Sequence, residues 1–361
     1  MQHNSVTAVA HWCYNVHRLL GKCTMEKDKR IVWIDVIKIV AAFLIVMQHS
    51  MAVEWTERMA LNDLQWKIIN LVFIVSRMGV PLFFMCSGVT MFRRKHSIKE
   101  IVSKSLPHIL VPYAFWMCIY GCIDAVGASS LRVAVNAIIK SVVFGRYHTW
   151  FIATLIGLYL VTPLIQEFVY NRKLLAYFLA LSVLFTVIFP YASRIGDDRI
   201  VTTLNDFNMH FVVGYVIYYL IGFYISELEI GRKMTLLCGI VFTAAYCICQ
   251  GLCLYKVDDL GQDIQNYYSA FSIIGIVLSG SFFIILMSIS NKQYPEGMKK
   301  VVFGWAKLGI GIYLVHPLLL PLIANLYGSF RFVGGLLVYI IALIINLLIS
   351  VTPLKKILLS L

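Results

Sequence analysis

Residues 31–53 read IVWIDVIKIVAAFLIVMQHSMAV, an apolar run that carries three ionisable side chains, Asp35, Lys38 and His49. A helix needs about 20 mostly apolar residues to cross a bilayer, so this stretch predicts a transmembrane helix. Ionisable side chains are costly inside a bilayer and usually mark functional positions. The stretch therefore predicts a membrane protein with polar chemistry inside its helix bundle.

The composition extends this prediction to the whole chain. Of its 361 residues, 60% are hydrophobic and 14% are charged. A soluble domain has about 25% charged residues, and a disordered chain has few apolar ones, so both classes are excluded. We predict an all-α polytopic membrane helix bundle of about ten spans. The predicted spans are 32–53, 68–92, 106–126, 149–168, 174–192, 209–227, 234–254, 268–290, 303–326 and 332–353.

The charge distribution predicts the orientation of these spans. The chain has 31 Lys and Arg against 18 Asp and Glu, a net charge of +13. With the N-terminus inside, 19 of the basic residues lie on inner segments, 9 on outer segments and 3 within spans. Cytoplasmic loops of membrane proteins carry such an excess. The bias predicts that both termini are inside, and it argues against nucleic-acid binding.

The segments outside the spans give the predicted domain organisation. Residues 1–24 match neither a signal peptide nor a span, because His, Asn and Arg interrupt their apolar positions. We predict that the native protein starts at Met25, with a short interfacial helix before it as the alternative. An N-terminal extension then covers 1–29 and the transmembrane domain covers 30–356. Residues 131–145 are predicted to be an outer loop with a short interfacial helix.

Cysteine usage does not indicate a metal centre. Seven of the nine cysteines fall in predicted spans, where free cysteine behaves as a small hydrophobic residue. Cys247, Cys249 and Cys253 contain no CxxC pair and have no histidine nearby. We therefore predict no metal site.

The first span places its polar residues on one helical face. Lys38 and His49 are eleven residues apart, which at about 100° per residue returns the helix to within about 20° of the same face. They are about 16 Å apart along the axis, with Lys38 toward the inside. For Asp35 and Lys38, an i,i+3 pair at the inner interface is an equal alternative to a functional role. For His49 we favour function.

Arg77 lies in the segment SRMGVPLFFMCSGV of the second span, about 13 Å below the outer edge. That depth requires a partner or an anionic ligand. Gly79 and Pro81 are expected to loosen the helix beside it. Ion pairing with Asp35 or a backbone carbonyl is the alternative to a functional role.

Four further residues, in three segments, are candidates. His148 and Trp150 lie at the outer mouth of the fourth span, and Tyr268 opens the eighth. An aromatic belt at the interface is a strong alternative for Trp150 and Tyr268. His316 lies past the middle of the ninth span and precedes Pro317, so it either acts in a site or bonds a freed carbonyl.

Several segments, taken in order, resemble the acyltransferase-3 family of membrane O-acyltransferases. They are the Lys38–His49 spacing, GVPLFFMCSGV followed by Arg93 and Arg94, HTWFIATLIGLYLVTPL, FVVGYVIYYLIGFY and GIGIYLVHPLLL. Together they cover about residues 30–353. Many relatives have Arg where this chain has Lys38, and Lys cannot form a bidentate fork.

The resemblance implies an integral protein, expected in a bacterial inner membrane and surrounded by lipid, that transfers an acyl group. The co-substrate would be cytoplasmic acetyl-coenzyme A or another acyl-coenzyme A. The acceptor would be a hydroxyl of an extracytoplasmic sugar, glycolipid or polysaccharide precursor. By motif position, His49 would be the catalytic residue.

Acyl transfer to a hydroxyl needs a base and a group that stabilises the oxyanion of the thioester. We predict that His49 and Arg77 are catalytic. The residues predicted to bind substrate or acyl-coenzyme A are Lys38, Asp35, Arg93, Arg94, His148, Trp150, Tyr268 and His316.

Two other classes of protein stay open. A transporter or flippase of a sugar or an anionic metabolite would also contain intramembrane Lys, Arg and His. Carriers often have two halves with matching broken helices, and the two halves of this sequence show no convincing match. A non-catalytic sensor is the third class. The acceptor, the acyl chain, the oligomeric state and the choice between direct transfer and an acyl-enzyme are left open.

Overall fold

The computed structural model describes residues 30–56, 63–190, 212–255, 268–327 and 331–355. The predicted start at Met25 and the segment before it lie outside these residues. The described chain is helical throughout and contains no β-strand, which confirms the all-α prediction.

The helices have the following bounds. They are α1 (Val32–Thr56), α2 (Asp63–Ser76), α3 (Gly79–Phe92), α4 (Ile98–Glu100), α5 (Pro107–Asp124), α6 (Leu131–Phe144), α7 (Trp150–Val169), α8 (Arg172–Val183), α9 (Val216–Ser226), α10 (Arg232–Tyr255), α11 (Ile273–Ser290), α12 (Glu296–Lys307), α13 (Gly309–Tyr327) and α14 (Arg331–Ser350). Two π-helical segments, Ile101–Ser105 and Leu184–Ile188, follow α4 and α8.

Seven helical segments in the described chain are long and apolar enough to cross a membrane. A bent pair, α12 with the Gly309–Leu322 part of α13, would be an eighth. Of the predicted spans, 174–192 corresponds to α8 and its π-helical extension, and 209–227 contains α9, which is apolar but only 11 residues long. The helices support an integral membrane protein, while the count of ten and the topology stay predictions.

The second span is broken at Arg77 and Met78, between α2 and α3. Pro81 lies in the first turn of α3, where its missing N–H is tolerated, and it cannot donate the hydrogen bond that would continue the helix regularly from α2. A Cβ on Gly79 would lie 2.9 Å from the carbonyl oxygen of Ala41, so glycine lets α3 pack closely on α1. The loosening predicted at these residues is therefore a helix break beside Arg77.

Helices α3 and α9 approach each other most closely at two glycines. A Cβ on Gly88 would lie 1.7 Å from the carbonyl oxygen of Tyr219, and one on Gly222 would lie 2.4 Å from that of Met85. Small residues are what allow membrane helices to pack backbone against backbone. This contact holds α3, and with it the helix break at Arg77, against the centre of the bundle.

Residues 131–145, predicted to be an outer loop with a short interfacial helix, contain α6, which packs along α5. Gly121 of α5 faces Ile138, whose Cα would be 2.5 Å from an added Cβ. Nearer the start of α5, the hydroxyl of Tyr113 donates to the carbonyl of Val142 at 3.1 Å. The two helices are thus antiparallel, and α6 returns the chain to the level of Tyr113, near the middle of the Ile98–Asp124 segment. The loop 145–149 therefore lies inside the bundle.

Candidate active site

The centre of the candidate site is a hydrogen bond between His49 and His316. The Nδ1 atom of His49, on α1, lies 2.7 Å from Nε2 of His316, on α13. The two ring planes are nearly parallel, inclined by 4°, and their centroids are 5.0 Å apart, so the rings meet edge to edge through this hydrogen bond. His316 is fully buried and His49 is partly exposed. Two histidines from distant parts of the sequence thus form one unit.

The hydrogen-bond partners determine which nitrogen of each neutral ring carries the proton. Nδ1 of His316 lies 2.8 Å from the carbonyl oxygen of Tyr313, which can only accept, so Nδ1 is the donor. In neutral His316, Nε2 is then an acceptor, and Nδ1 of His49 must donate to it. His49 is left with an unprotonated Nε2, whose lone pair is available as a base.

His148 is the third histidine of the cluster. It lies in the loop between α6 and α7, and its ring centroid is 5.9 Å from that of His316. Its side chain is 1% exposed, and neither ring nitrogen has a hydrogen-bond partner among the described residues. The hydroxyl of Tyr313 donates to the backbone carbonyl of His148. The sequence predicted all three histidines but not that they meet.

Tyr147 forms the open side of this cluster. Its ring is perpendicular to the ring of His49 and to that of His148, with centroid distances of 5.7 and 5.2 Å. The residue is 68% exposed, so the cluster can be approached past this ring. Tyr147 was not among the predicted site residues, and only its position beside His148 marks it in the sequence.

Arg146 holds the loop of His148 to two helices. Its guanidinium pairs with Asp124, donates to the carbonyl of Tyr120 at 3.2 Å and lies 5.1 Å from the Tyr120 ring. The hydroxyl of Tyr120 in turn donates to the carbonyl of Leu314 at 3.1 Å. In the sequence, Arg146 was only one of the nine basic residues on the predicted outer segments. In the structure it connects α5, the 145–149 loop and α13.

Arg77 lies at the break between α2 and α3, and its positive charge acts on His49. Its guanidinium is 5.3 Å from the ring of Tyr268 and 5.9 Å from that of Phe73. Cation–π contacts of this kind hold a guanidinium in place without neutralising its charge. Arg77 and Tyr268, both predicted as site residues, are thus in contact with each other.

Trp150 begins α7, directly after the loop that carries His148. Its ring is 5.2 Å from that of Tyr215, inclined by 31°, and the residue is 42% exposed. The charge of Arg77 also acts on Tyr215. Trp150 therefore lies on the Arg77 side of the candidate site and not against the His49 ring.

Asp35 and Lys38 lie apart from the histidines, near the N-terminal end of α1. Asp35 is 2% exposed, and the charges of both residues act on Cys86 of α3. The Cys86 thiol donates weakly to the carbonyl of Ile34 at 3.8 Å. The helical rise keeps Lys38 about 16 Å from His49, so these residues do not belong to the histidine cluster.

Arg93 and Arg94 follow the C-terminal end of α3, the 14-residue length of that helix away from the Arg77 break. Arg94 forms an ion pair with Glu100 at 2.7 Å, and Arg93 is partly buried. Next to them, the backbone N–H of His96 donates to Oε1 of Gln166 at 2.9 Å. Burial and the charge of Arg94 lower the pKa of His96 below its ordinary value. These residues form a separate basic region below the histidines.

The described residues include no group of three or more His, Cys, Asp or Glu arranged to hold a metal ion. Of the three clustered histidines, His49 and His316 are hydrogen-bonded to each other, and His316 also to the carbonyl of Tyr313. That the chemistry needs no metal stays a prediction.

Comparison with known proteins places the chain in a family. A family model described as an acyltransferase domain, acyltransferase-3, matches residues 31–354. A search of curated proteins and a search of solved structures each found no match. The family match includes the helices that carry His49, Arg77, His148 and His316. With nine-tenths of its length covered by the match, the chain belongs to the acyltransferase-3 family.

Proposed function

We propose that this protein moves an acetyl or other short acyl group from cytoplasmic acyl-coenzyme A to a hydroxyl of an extracytoplasmic sugar. The acceptor would be a surface carbohydrate or a glycolipid or polysaccharide precursor. The observation that carries the proposal is the hydrogen bond between His49 and His316, within a chain of an acyltransferase family. It leaves a free imidazole nitrogen where a hydroxyl needs a base.

The reaction would use Nε2 of His49 as a general base. As Nε2 takes the hydroxyl proton, the oxygen attacks the thioester carbonyl carbon, and a tetrahedral oxyanion forms. When that intermediate collapses, the carbon–sulfur bond breaks, and the proton on His49 passes to the thiolate of coenzyme A. His316 would accept the Nδ1–H hydrogen bond throughout and stabilise the transient imidazolium.

The inner basic region supports a cytoplasmic approach of the donor. Coenzyme A carries several phosphate charges, and Arg93, Arg94, Lys95 and Lys104 lie together after α3. A cleft or surface lined by one sign of charge raises the local concentration of an oppositely charged substrate. Lys38 lies between this region and His49 along α1, where a long pantetheine arm would pass. Arg77 would attract the anionic part of a substrate at the level of the helix break.

The test is turnover of labelled acetyl-coenzyme A in membranes, followed by mass spectrometry of surface glycans. Replacing His49 by Ala or by Gln should lower transfer by about 10²- to 10⁴-fold, the usual contribution of a general base. His108→Gln is the matched control, because His108 is an exposed histidine on α5 outside the cluster, and it should leave transfer unchanged.

Two results would contradict the proposal. Full transfer by a correctly inserted His49→Ala protein would show that His49 is not the base. Substrate uptake by the wild-type protein without any consumption of acetyl-coenzyme A would favour the transporter class.

A further inference from the structure

His148 is a buried, unpartnered imidazole that the proton transfer proposed above does not use. It is 1% exposed, and both ring nitrogens lack a hydrogen-bond partner among the described residues. Buried polar side chains are nearly always hydrogen-bonded, so an unpaired one next to a catalytic pair points to a bound group that meets it. The ring lies 5.9 Å from His316, close enough for such a group to touch both.

The backbone on both sides of His148 is held in place. The Tyr313 hydroxyl donates to the carbonyl of His148, and the backbone N–H of Arg146 donates to Oγ1 of Thr149 at 2.9 Å. The same Thr149 hydroxyl donates back to the carbonyl of Arg146 at 2.9 Å. A donor fixed in this way needs no reorganisation during a reaction, which is the property that makes oxyanion donors effective.

Three aromatic rings pack around the buried His148 imidazole. The rings of Tyr120, Tyr147 and Tyr313 have centroids 5.7, 5.2 and 5.8 Å away. In such a low-dielectric setting a hydrogen bond to a developing charge is stronger than in water. A neutral imidazole always carries one N–H, so His148 can donate in this setting without becoming charged.

Arg77 was the oxyanion partner suggested by the sequence, but its surroundings fit that role less well. Its guanidinium is held by the rings of Phe73, on α2, and Tyr268, before α11. His148, in contrast, lies 5.9 Å from the ring of His316, and its ring nitrogens have no hydrogen-bond partner among the described residues.

We propose that His148 donates its N–H to the thioester carbonyl oxygen of the acyl donor and stabilises the oxyanion. As the acceptor oxygen attacks, the carbonyl π electrons move onto that oxygen. When the intermediate collapses, they reform the C=O bond and the thiolate leaves. His148 keeps its proton in every step. This inference rests on the proposed acyl-transfer function and assigns one residue of that site.

The test measures thiol release from acetyl-coenzyme A by the full chain in native membrane vesicles, whose glycolipids supply the acceptor hydroxyl, for wild type, His148→Ala and His148→Gln. Loss of one oxyanion donor typically costs about 10²- to 10³-fold in kcat, and we expect that loss for His148→Ala. The KM for acetyl-coenzyme A should stay nearly constant, because the interaction forms only in the transition state. His148→Gln keeps an N–H donor and should recover part of the loss.

A merely structural role predicts a different pattern. It would lower the melting temperature of both variants and would give no recovery with glutamine. Wild-type kcat in His148→Ala, or equal loss in both variants at an unchanged melting temperature, would overturn the role of the N–H. His108→Gln is the parallel control and should release thiol as the wild-type protein does. If neither protein releases thiol, the acyl-transfer function itself is overturned.

Discussion

At the scale of single residues, the chemistry of the candidate site depends on one backbone carbonyl. The carbonyl of Tyr313 accepts from Nδ1 of His316, so His316 can accept from His49, and His49 keeps a free Nε2. A lone intramembrane histidine would have no defined tautomer. The pair has one, because a carbonyl at the end of the chain of hydrogen bonds has no proton to donate.

The first prediction concerns His316. His316→Phe keeps a ring of similar size but removes the acceptor for the Nδ1–H of His49, so the His49 ring loses its orientation. We expect kcat to fall by about 10²-fold, the usual effect of a small misplacement of a catalytic group. His316→Gln offers an amide oxygen as acceptor and should lose less. Equal activity of His316→Phe and wild type in acetyl-coenzyme A turnover would show that the pair does not orient His49.

At the scale of elements, three close helix contacts position the site. Glycines let α3 meet α1 and α9 backbone to backbone, and Gly121 lets α6 pack along α5. The contacts of α3 hold the Arg77 break, and the contact of α5 with α6 carries the His148 loop into the bundle.

The second prediction tests the α3–α9 contact through Gly88→Ala. The added Cβ would lie 1.7 Å from a backbone oxygen of Tyr219, which cannot move as a flexible side chain would. Overpacking typically costs 1–3 kcal/mol, and we expect about 3 kcal/mol or more here. The measurement is the thermal stability of the detergent-solubilised protein. The control is Gly157→Ala on α7, where nothing lies within 4 Å of the added Cβ, and it should be neutral or slightly stabilising.

The third prediction tests the link made by Arg146. Arg146→Lys keeps a positive charge for Asp124, but a single ammonium cannot also reach the Tyr120 carbonyl and cover its ring. We expect the 145–149 loop to loosen and kcat to fall by up to about 10²-fold while the protein still folds. Arg132→Lys, at an exposed position of α6, is the control. Unchanged kcat in Arg146→Lys would mean that the loop is held by its Thr149 contacts alone.

At the scale of the whole molecule, the basic residues and the histidines divide the protein into two regions. The cations after α3 lie at one end of that helix and the Arg77 break lies at the other. In the proposed orientation, the basic end faces the cytoplasm and the anionic donor, and the histidine cluster lies toward the acceptor. The uneven distribution of basic residues that predicts the orientation of the chain would thus also keep the two substrates on opposite sides of the site.

The fourth prediction tests this orientation. Ser129→Cys, in the loop before α6, should react with a membrane-impermeant thiol reagent in intact cells. Lys173→Cys, in the first turn of α8, should react only after permeabilisation. Labelling of the wild-type protein gives the background, since its described exposed cysteines, Cys118, Cys122 and Cys247, lie on apolar helices. The opposite pattern would place the N-terminus outside and make a cytoplasmic donor site after α3 impossible.

Some interactions follow from local sequence and others do not, as the site residues illustrate. The apolar length of 31–53 predicts α1, and the Gly79–Pro81 segment predicts a disturbed helix. The position of His49 in an apolar span already marks it as a functional candidate. Tyr147 and Arg146 gave no such signal, because an aromatic or basic residue in a loop is ordinary until the loop is known to lie inside the bundle.

The composition and residue order of this chain are enough to determine that it is a helical membrane protein of an acyltransferase family. Apolar length, helical period and charge bias are local properties that do not depend on how the helices pack. The meeting of His49 with His316, 267 residues later, is of a different kind. It depends on which faces of α1, α13 and the 145–149 loop are turned toward each other, and close contacts at a few glycines and the Arg146 link set those faces only in the folded bundle.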